Sequence, residues 1–125
     1  MPGSLNDESI VRGIVTDAIR KSAKSREIIA EEMSQLVGAR VTVRMLNSYT
    51  SGAAEQHRWP AQYTRAFCHV VQDWTLLRCI TDLSGFHLIS VEELDLLELG
   101  RQYLKRKSAD EQITLLEAKL HRRGL

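Results

Sequence analysis

Apolar residues return near the start of the chain at Ile10, Val11, Ile14, Val15, Ala18 and Ile19, the 3.6-residue period of a helix with one buried stripe. A first helix is expected over residues 7 to 22. The next run, "SREIIAEEMSQLVG", offers Ser25 as N-cap, Glu27 near the positive end of the helix dipole and Gly38 as terminator. Ile28, Ile29, Met33, Leu36 and Val37 form the apolar face of this second helix. Thr42 caps a third, which buries Met45, Leu46 and Tyr49 and stops at Gly52. Pro60 suits the first turn of a fourth helix, with a stripe of Tyr63, Phe67, Val70, Val71 and Trp74, and "WTLLRCITDLSG" makes a fifth that ends near Gly85. "VTV" at 41–43 and "FHLIS" at 86–90 have the composition of short strands, but neither has a partner run.

The pattern restarts at Ser90, which with Glu93 spells the S-x-x-E capping box ahead of a leucine-rich stretch. Ser108 with Glu111 spells a second box. The tail is therefore either one long helix or two helices folded back on each other. The division expected is a helical domain over 1–88 and a helical segment over 89–125. Within that segment Leu97, Leu104, Ile113, Leu116 and Leu120 are the candidate oligomerisation residues. Ala109, Ile113, Leu116 and Leu120 follow the 4, 3, 4 spacing of a coiled-coil seam for under two heptads.

At 125 residues with 43% hydrophobic and 26% charged side chains, the chain is large enough for one compact core. No stretch approaches the roughly 18 continuous apolar residues of a membrane span, and "MPGSLNDESI" lacks the pattern of a signal peptide. A cytoplasmic protein is expected. Cys68 and Cys79 lie in apolar helical patterns and read as free thiols, and the four histidines are scattered, so no metal and no cofactor is expected. Seventeen basic residues against sixteen acids give a net charge of +1, which does not by itself point to nucleic acid. The distribution is more informative: Arg12, Arg20, Lys21, Lys24 and Arg26 face only Asp17 in the same stretch. Such a run is compatible with nucleic acid, although most charge runs are solvated faces.

Successive helices from residue 25 onward suggest a helix-turn-helix, in which one helix braces and the next offers its N-terminal side to the major groove. Here the chain resembles the lambda-repressor and Cro type of DNA-binding domain found in phage and bacterial regulators. Ala30 and Met33 match the bracing helix of that family, and Val41, Thr42, Leu46, Tyr49 and Gly52 match the helix after it. The resemblance covers residues 7 to about 85 and implies an all-α fold: a five-helix lambda-repressor-like domain with a C-terminal leucine-rich helical extension. One departure is clear. Seven residues, "SQLVGAR", separate Met33 from Val41, where the family usually has a single glycine between the two halves. Either the second helix runs about two turns longer or the connection is wider.

With Met45, Leu46 and Tyr49 turned inward, Val43, Arg44, Asn47 and Ser48 fall on the outer side or the flanks of the third helix. These are the candidate base readers. Arg pairs with guanine O6 and N7, Asn with adenine N6 and N7, and each good pair discriminates by roughly 1–3 kcal/mol. Candidate phosphate contacts are Lys24, Arg26, Arg40, Thr42 and Arg58, with Gln56 and His57 as helpers. Trp59 beside its proline reads as a packing residue between the third and fourth helices.

Catalysis is not expected. The paired acids Glu31 and Glu32, Glu92 and Glu93, and Asp110 and Glu111 are adjacent in sequence, which on a helix points them apart. No nucleophile elbow, phosphate-cradling loop or H-E-x-x-H appears. The expectation is a sequence-specific transcriptional regulator that binds double-stranded DNA as a homo-oligomer, dimer or tetramer, with no membrane partner. The rival is a non-enzymatic all-helical protein-protein interaction module that uses the leucine-rich tail.

Overall fold

The computed structural model describes residues 2–52 and 58–124. Among them the chain is all-helical: α1 (Glu8–Lys21), α2 (Arg26–Val37), α3 (Val43–Thr50), a one-turn 3-10 segment (Ala61–Tyr63), α4 (Thr64–Val71), α5 (Thr75–Leu83) and α6 (Val91–Arg122). "VTV" lies across the entry to α3, "FHLIS" is irregular, and no strand occurs among the described residues. The chain divides into two compact units, Met1–Leu88 and Ile89–Leu125.

In the first unit α2 packs on α3 and α4, α1 on α3 and α5, and α4 on α5. Each helix contributes its apolar stripe: Val15, Ala18 and Ile19 from α1, Ile29, Ala30 and Met33 from α2, Leu46 from α3, Phe67, Cys68, Val70 and Val71 from α4, and Leu76 from α5. Ile29, Met33, Leu46 and Phe67 are wholly shielded from solvent. Truncating any one to Ala would cost about 2–5 kcal/mol through lost burial and the cavity left behind. Cys68 lies in this core, and burial pushes its thiol above its ordinary value.

Trp74 does not belong to the stripe of α4. Gln72 adopts a left-handed conformation with φ of 53° and ends α4, its backbone N–H donating to the Cys68 carbonyl. Trp74 then caps α5 and stands 37% exposed. Ile28 and Leu36, placed by periodicity on the buried face of α2, are likewise exposed. Leu36 borders an open groove that Ala66 of α4 and Trp74 also line.

The path of "SQLVGAR" is a longer helix followed by a stapled turn. α2 continues to Val37, and Gly38, with φ of 76°, ends it. The Ser34 hydroxyl accepts the Val41 N–H at 2.8 Å and lies within bonding reach of the Ala30 and Val41 carbonyls, at 2.7 and 3.0 Å. Val41 is buried, so one serine ties the last turns of α2 to the start of α3. The turn thus satisfies its own polar backbone while Val41 enters the core.

The second unit is α6, one continuous helix of 32 residues, about 48 Å long at 1.5 Å per residue. Ser90 and Glu93 form the capping box at its start, acids fill the first turn and bases the last. Ser108 and Glu111 form no second cap. Ser108 lies inside the helix, where Lys, Arg, Ala and Glu neighbours favour continuation over a break. No residue of α6 is buried.

Candidate nucleic-acid interface

α3 is positioned by a cap, an anchor and an aromatic cluster. The Thr42 hydroxyl oxygen accepts the Met45 N–H at 3.2 Å, fixing where the helix begins. Leu46 is fully buried beneath it. Tyr49 meets Trp59 edge to face with ring centroids 5.6 Å apart, and Trp59 in turn meets Phe67 at 5.0 Å. The Trp59 indole N–H donates to Thr64 Oγ1 at 3.0 Å, which satisfies its polar edge. Trp59 therefore joins α3 to α4.

Of the four candidate readers, Arg44 and Asn47 stand exposed. The Arg44 guanidinium has no hydrogen-bond or ion-pair partner among the described residues. Val43 and Ser48 do not stand exposed beside them. Val43 is half-buried and packs against the core, because the first turn of α3 lies over Val41 and α2. Ser48 is partly buried, and its hydroxyl donates back to the Arg44 carbonyl at 3.0 Å, a bond available to any helical serine four residues on.

The candidate phosphate contacts separate into three kinds. Arg40, in the stapled turn, is exposed, and its guanidinium is unpaired among the described residues. Arg58 is 73% exposed, with Nε 3.7 Å from Glu8 Oε2, while Arg12 approaches the other oxygen of the same carboxylate, also at 3.7 Å. Lys24 is structural: its ammonium donates to Glu32 at 2.6 Å and to the Val70 carbonyl at 2.9 Å, clamping α2 to the end of α4. Thr42 has its oxygen engaged as the cap. Gln56 and His57 lie outside the described residues.

Arg26 links the two groups. At the first position of α2 it reaches across to α3, where Nη1 donates to Asn47 Oδ1 at 2.9 Å and to Thr50 Oγ1 at 3.3 Å. Arginine only donates, so the carboxamide must turn its oxygen inward and leave its NH2 free. A two-point adenine contact needs an acceptor as well as a donor. While the Arg26 bond holds, Asn47 offers only a donor, suited to guanine N7 or O6, thymine O4 or a phosphate oxygen. Thr50 was not singled out as part of this arrangement by the sequence, and no local signal marks it: the contact spans 24 positions.

Among the described residues no cluster of three or more His, Cys, Asp or Glu side chains has the geometry to hold a metal ion, and no helix is long and apolar enough to cross a membrane. Comparison with models of known protein families, with curated proteins and with solved structures gives no match.

Proposed function

We propose that this chain is a sequence-specific DNA-binding transcriptional regulator of the phage type, with a five-helix lambda-repressor-like domain over residues 1–88. α3 enters the major groove while α2 braces it. The observation that carries the reading is the placement of Arg44 and Asn47: both are exposed on a helix anchored by Leu46, with the cations Arg26 and Arg40 beside the same pair of helices. Arg44 reads guanine through O6 and N7, Asn47 donates to an acceptor on a neighbouring base, and Arg26, Arg40 and Arg58 supply phosphate contacts. The protein works in the cytoplasm by occupying its site and has no catalytic step. α6 joins the copies that such regulators use to meet successive turns of the groove.

Retention of the full chain on random duplex DNA at low salt tests this. A DNA binder is held and then released steeply as salt rises, because each neutralised phosphate frees counterions. Failure to bind duplex DNA at low salt removes the reading. One observation favours the rival, a protein-interaction module: Leu94, Leu97, Leu104, Leu116 and Leu120 of α6 are all about half exposed or more. That reading predicts a protein partner and no salt-sensitive hold on DNA.

A further inference from the structure

The guanidinium of Arg26 is held by two acceptors on one side of α3. Ser25 caps α2 by accepting the Ile28 N–H at 3.3 Å, which fixes Arg26 as the first residue of that helix. From there Nη1 reaches Asn47 Oδ1 at 2.9 Å and Thr50 Oγ1 at 3.3 Å, two side chains about one helical turn apart. The Thr50 hydroxyl donates to the Leu46 carbonyl at 3.0 Å, which leaves its oxygen free to accept from the arginine. Arg26 has no carboxylate partner among the described residues, so these two oxygens hold it. A carboxamide turned the other way would set its NH2 against the guanidinium, donor against donor. Asn47 therefore shows solvent its Nδ2, which is exposed and has no partner among the described residues.

The base edges answer that NH2 differently. Guanine offers two acceptors in the major groove, N7 and O6, and the two N–H bonds of the carboxamide can meet both. Adenine offers N7 beside its own N6 amino group, so a carboxamide without a free oxygen sets donor against donor there and leaves both amino groups unpaired. Cytosine offers a donor alone, and thymine a single acceptor, O4, beside its methyl group. An asparagine free to use both ends would choose adenine; one whose oxygen is occupied chooses guanine.

We infer that Arg26 is a positioning residue for base choice: by holding the Asn47 oxygen it commits Asn47 to guanine and rejects adenine, at the base pair beside the one that Arg44 reads. The inference rests on the proposed function, in which α3 reads the major groove, and adds to it the base that Asn47 selects. The N–H groups of Nε and Nη2 stay available to a phosphate oxygen, so grip and base choice come from different edges of one side chain.

The full chain selects duplexes from a random-sequence pool, and affinity is then measured for the selected site with each base pair substituted in turn. The proteins compared are the wild type, Asn47→Ala, Arg26→Met, Arg26→Ala, and Arg26→Met combined with Asn47→Ala. The pair at which Asn47→Ala flattens the preference is the one Asn47 reads, and guanine is expected there for the wild type. Arg26→Met keeps the aliphatic stem without the donors, and Arg26→Ala removes both. In each, the ratio of guanine to adenine affinity at that pair should fall roughly tenfold or more, in favour of adenine, because the freed oxygen completes a two-point contact. Loss of a phosphate contact weakens every duplex alike and cancels in this ratio. The double variant should show the flat preference of Asn47→Ala. A base other than guanine at that pair in the wild type overturns the inference, as do an unchanged ratio in the Arg26 variants, a ratio that they shift equally without Asn47, and an Asn47→Ala chain that flattens no pair. All four leave DNA binding by α3 standing. A pool from which the wild type enriches no sequence removes the proposed function itself, and the inference with it.

Discussion

Arg26 and Asn47 stand 21 positions apart in the chain and 2.9 Å apart in the fold, with the guanidinium donating to the carboxamide oxygen. The bond joins the first turn of α2 to the exposed face of α3, so the cation sets which end of the Asn47 carboxamide points outward. Removing the arginine should therefore act in two ways. Arg26→Ala is expected to weaken binding to all duplexes by a similar factor, to flatten the dependence of log affinity on log salt by about one unit, and to release the Asn47 oxygen. Asn47→Asp keeps the acceptor that Arg26 needs and removes the outward donor. It should leave thermal stability near wild type while duplex binding falls. Salt titrations of both variants check this, and an unchanged slope for Arg26→Ala would remove the phosphate role.

Arg44 carries the sequence-reading part of the proposal. Arg44→Ala should relax preference at a single base position, by about 1–3 kcal/mol between the best and the substituted base pair. Duplexes substituted one position at a time read this directly. A uniform loss over every duplex assigns Arg44 to the backbone instead of to a base.

Lys24 belongs to the fold. Its ammonium spans Glu32 and the Val70 carbonyl, and its side chain is little more than a third exposed. Lys24→Met keeps the aliphatic stem and deletes both bonds, at an expected cost of about 1 kcal/mol after allowing for solvent screening. The salt slope of DNA binding should not move. Urea unfolding gives the first number and salt titration the second. A slope that falls by a full unit would return Lys24 to the phosphate contacts.

Asp73 sets an acid-side dependence. Its carboxylate accepts the Thr75 hydroxyl at 2.6 Å and the Thr75 N–H at 2.9 Å, and these bonds hold it below the usual carboxylate range. The folded state therefore binds its proton less readily than the unfolded chain does. The stabilisation is fully present above the ordinary carboxylate value of about 4 and is lost as pH falls through the lowered folded value. Asp73→Asn should be less stable near neutral pH and lose less on acidification. Denaturation midpoints measured on both sides of pH 4 compare the two, and identical pH profiles would show that the carboxylate contributes nothing.

Local chemistry wrote much of this protein in its sequence. Ser25, Thr42 and Ser90 are each followed by free helix N–H groups that their hydroxyls can accept, and all three cap the helices that the spacing predicts. Gly38 ends α2 because the left-handed turn there suits a residue without a Cβ. The 3.6-residue period located Leu46, Met33 and Phe67 in the core, since burial follows one face of each helix. What periodicity could not give is which part of a face meets a neighbour: Ile28 and Leu36 have the right phase yet no helix over them, and Val43 sits half-buried although the wheel turned it outward.

The candidate interface shows the same boundary. Exposure of Arg44 and Asn47 follows from the phase of α3 alone, so the sequence contained it. That Lys24 is spent on Val70, that Ser34 pins Val41, and that Arg26 holds the oxygen of Asn47 are contacts across 46, 7 and 21 positions. A hydrogen bond depends on atoms within about 3 Å of each other. Spacing along one helix fixes such distances only within that helix, and the packing of α2 against α3 and α4 decided the rest.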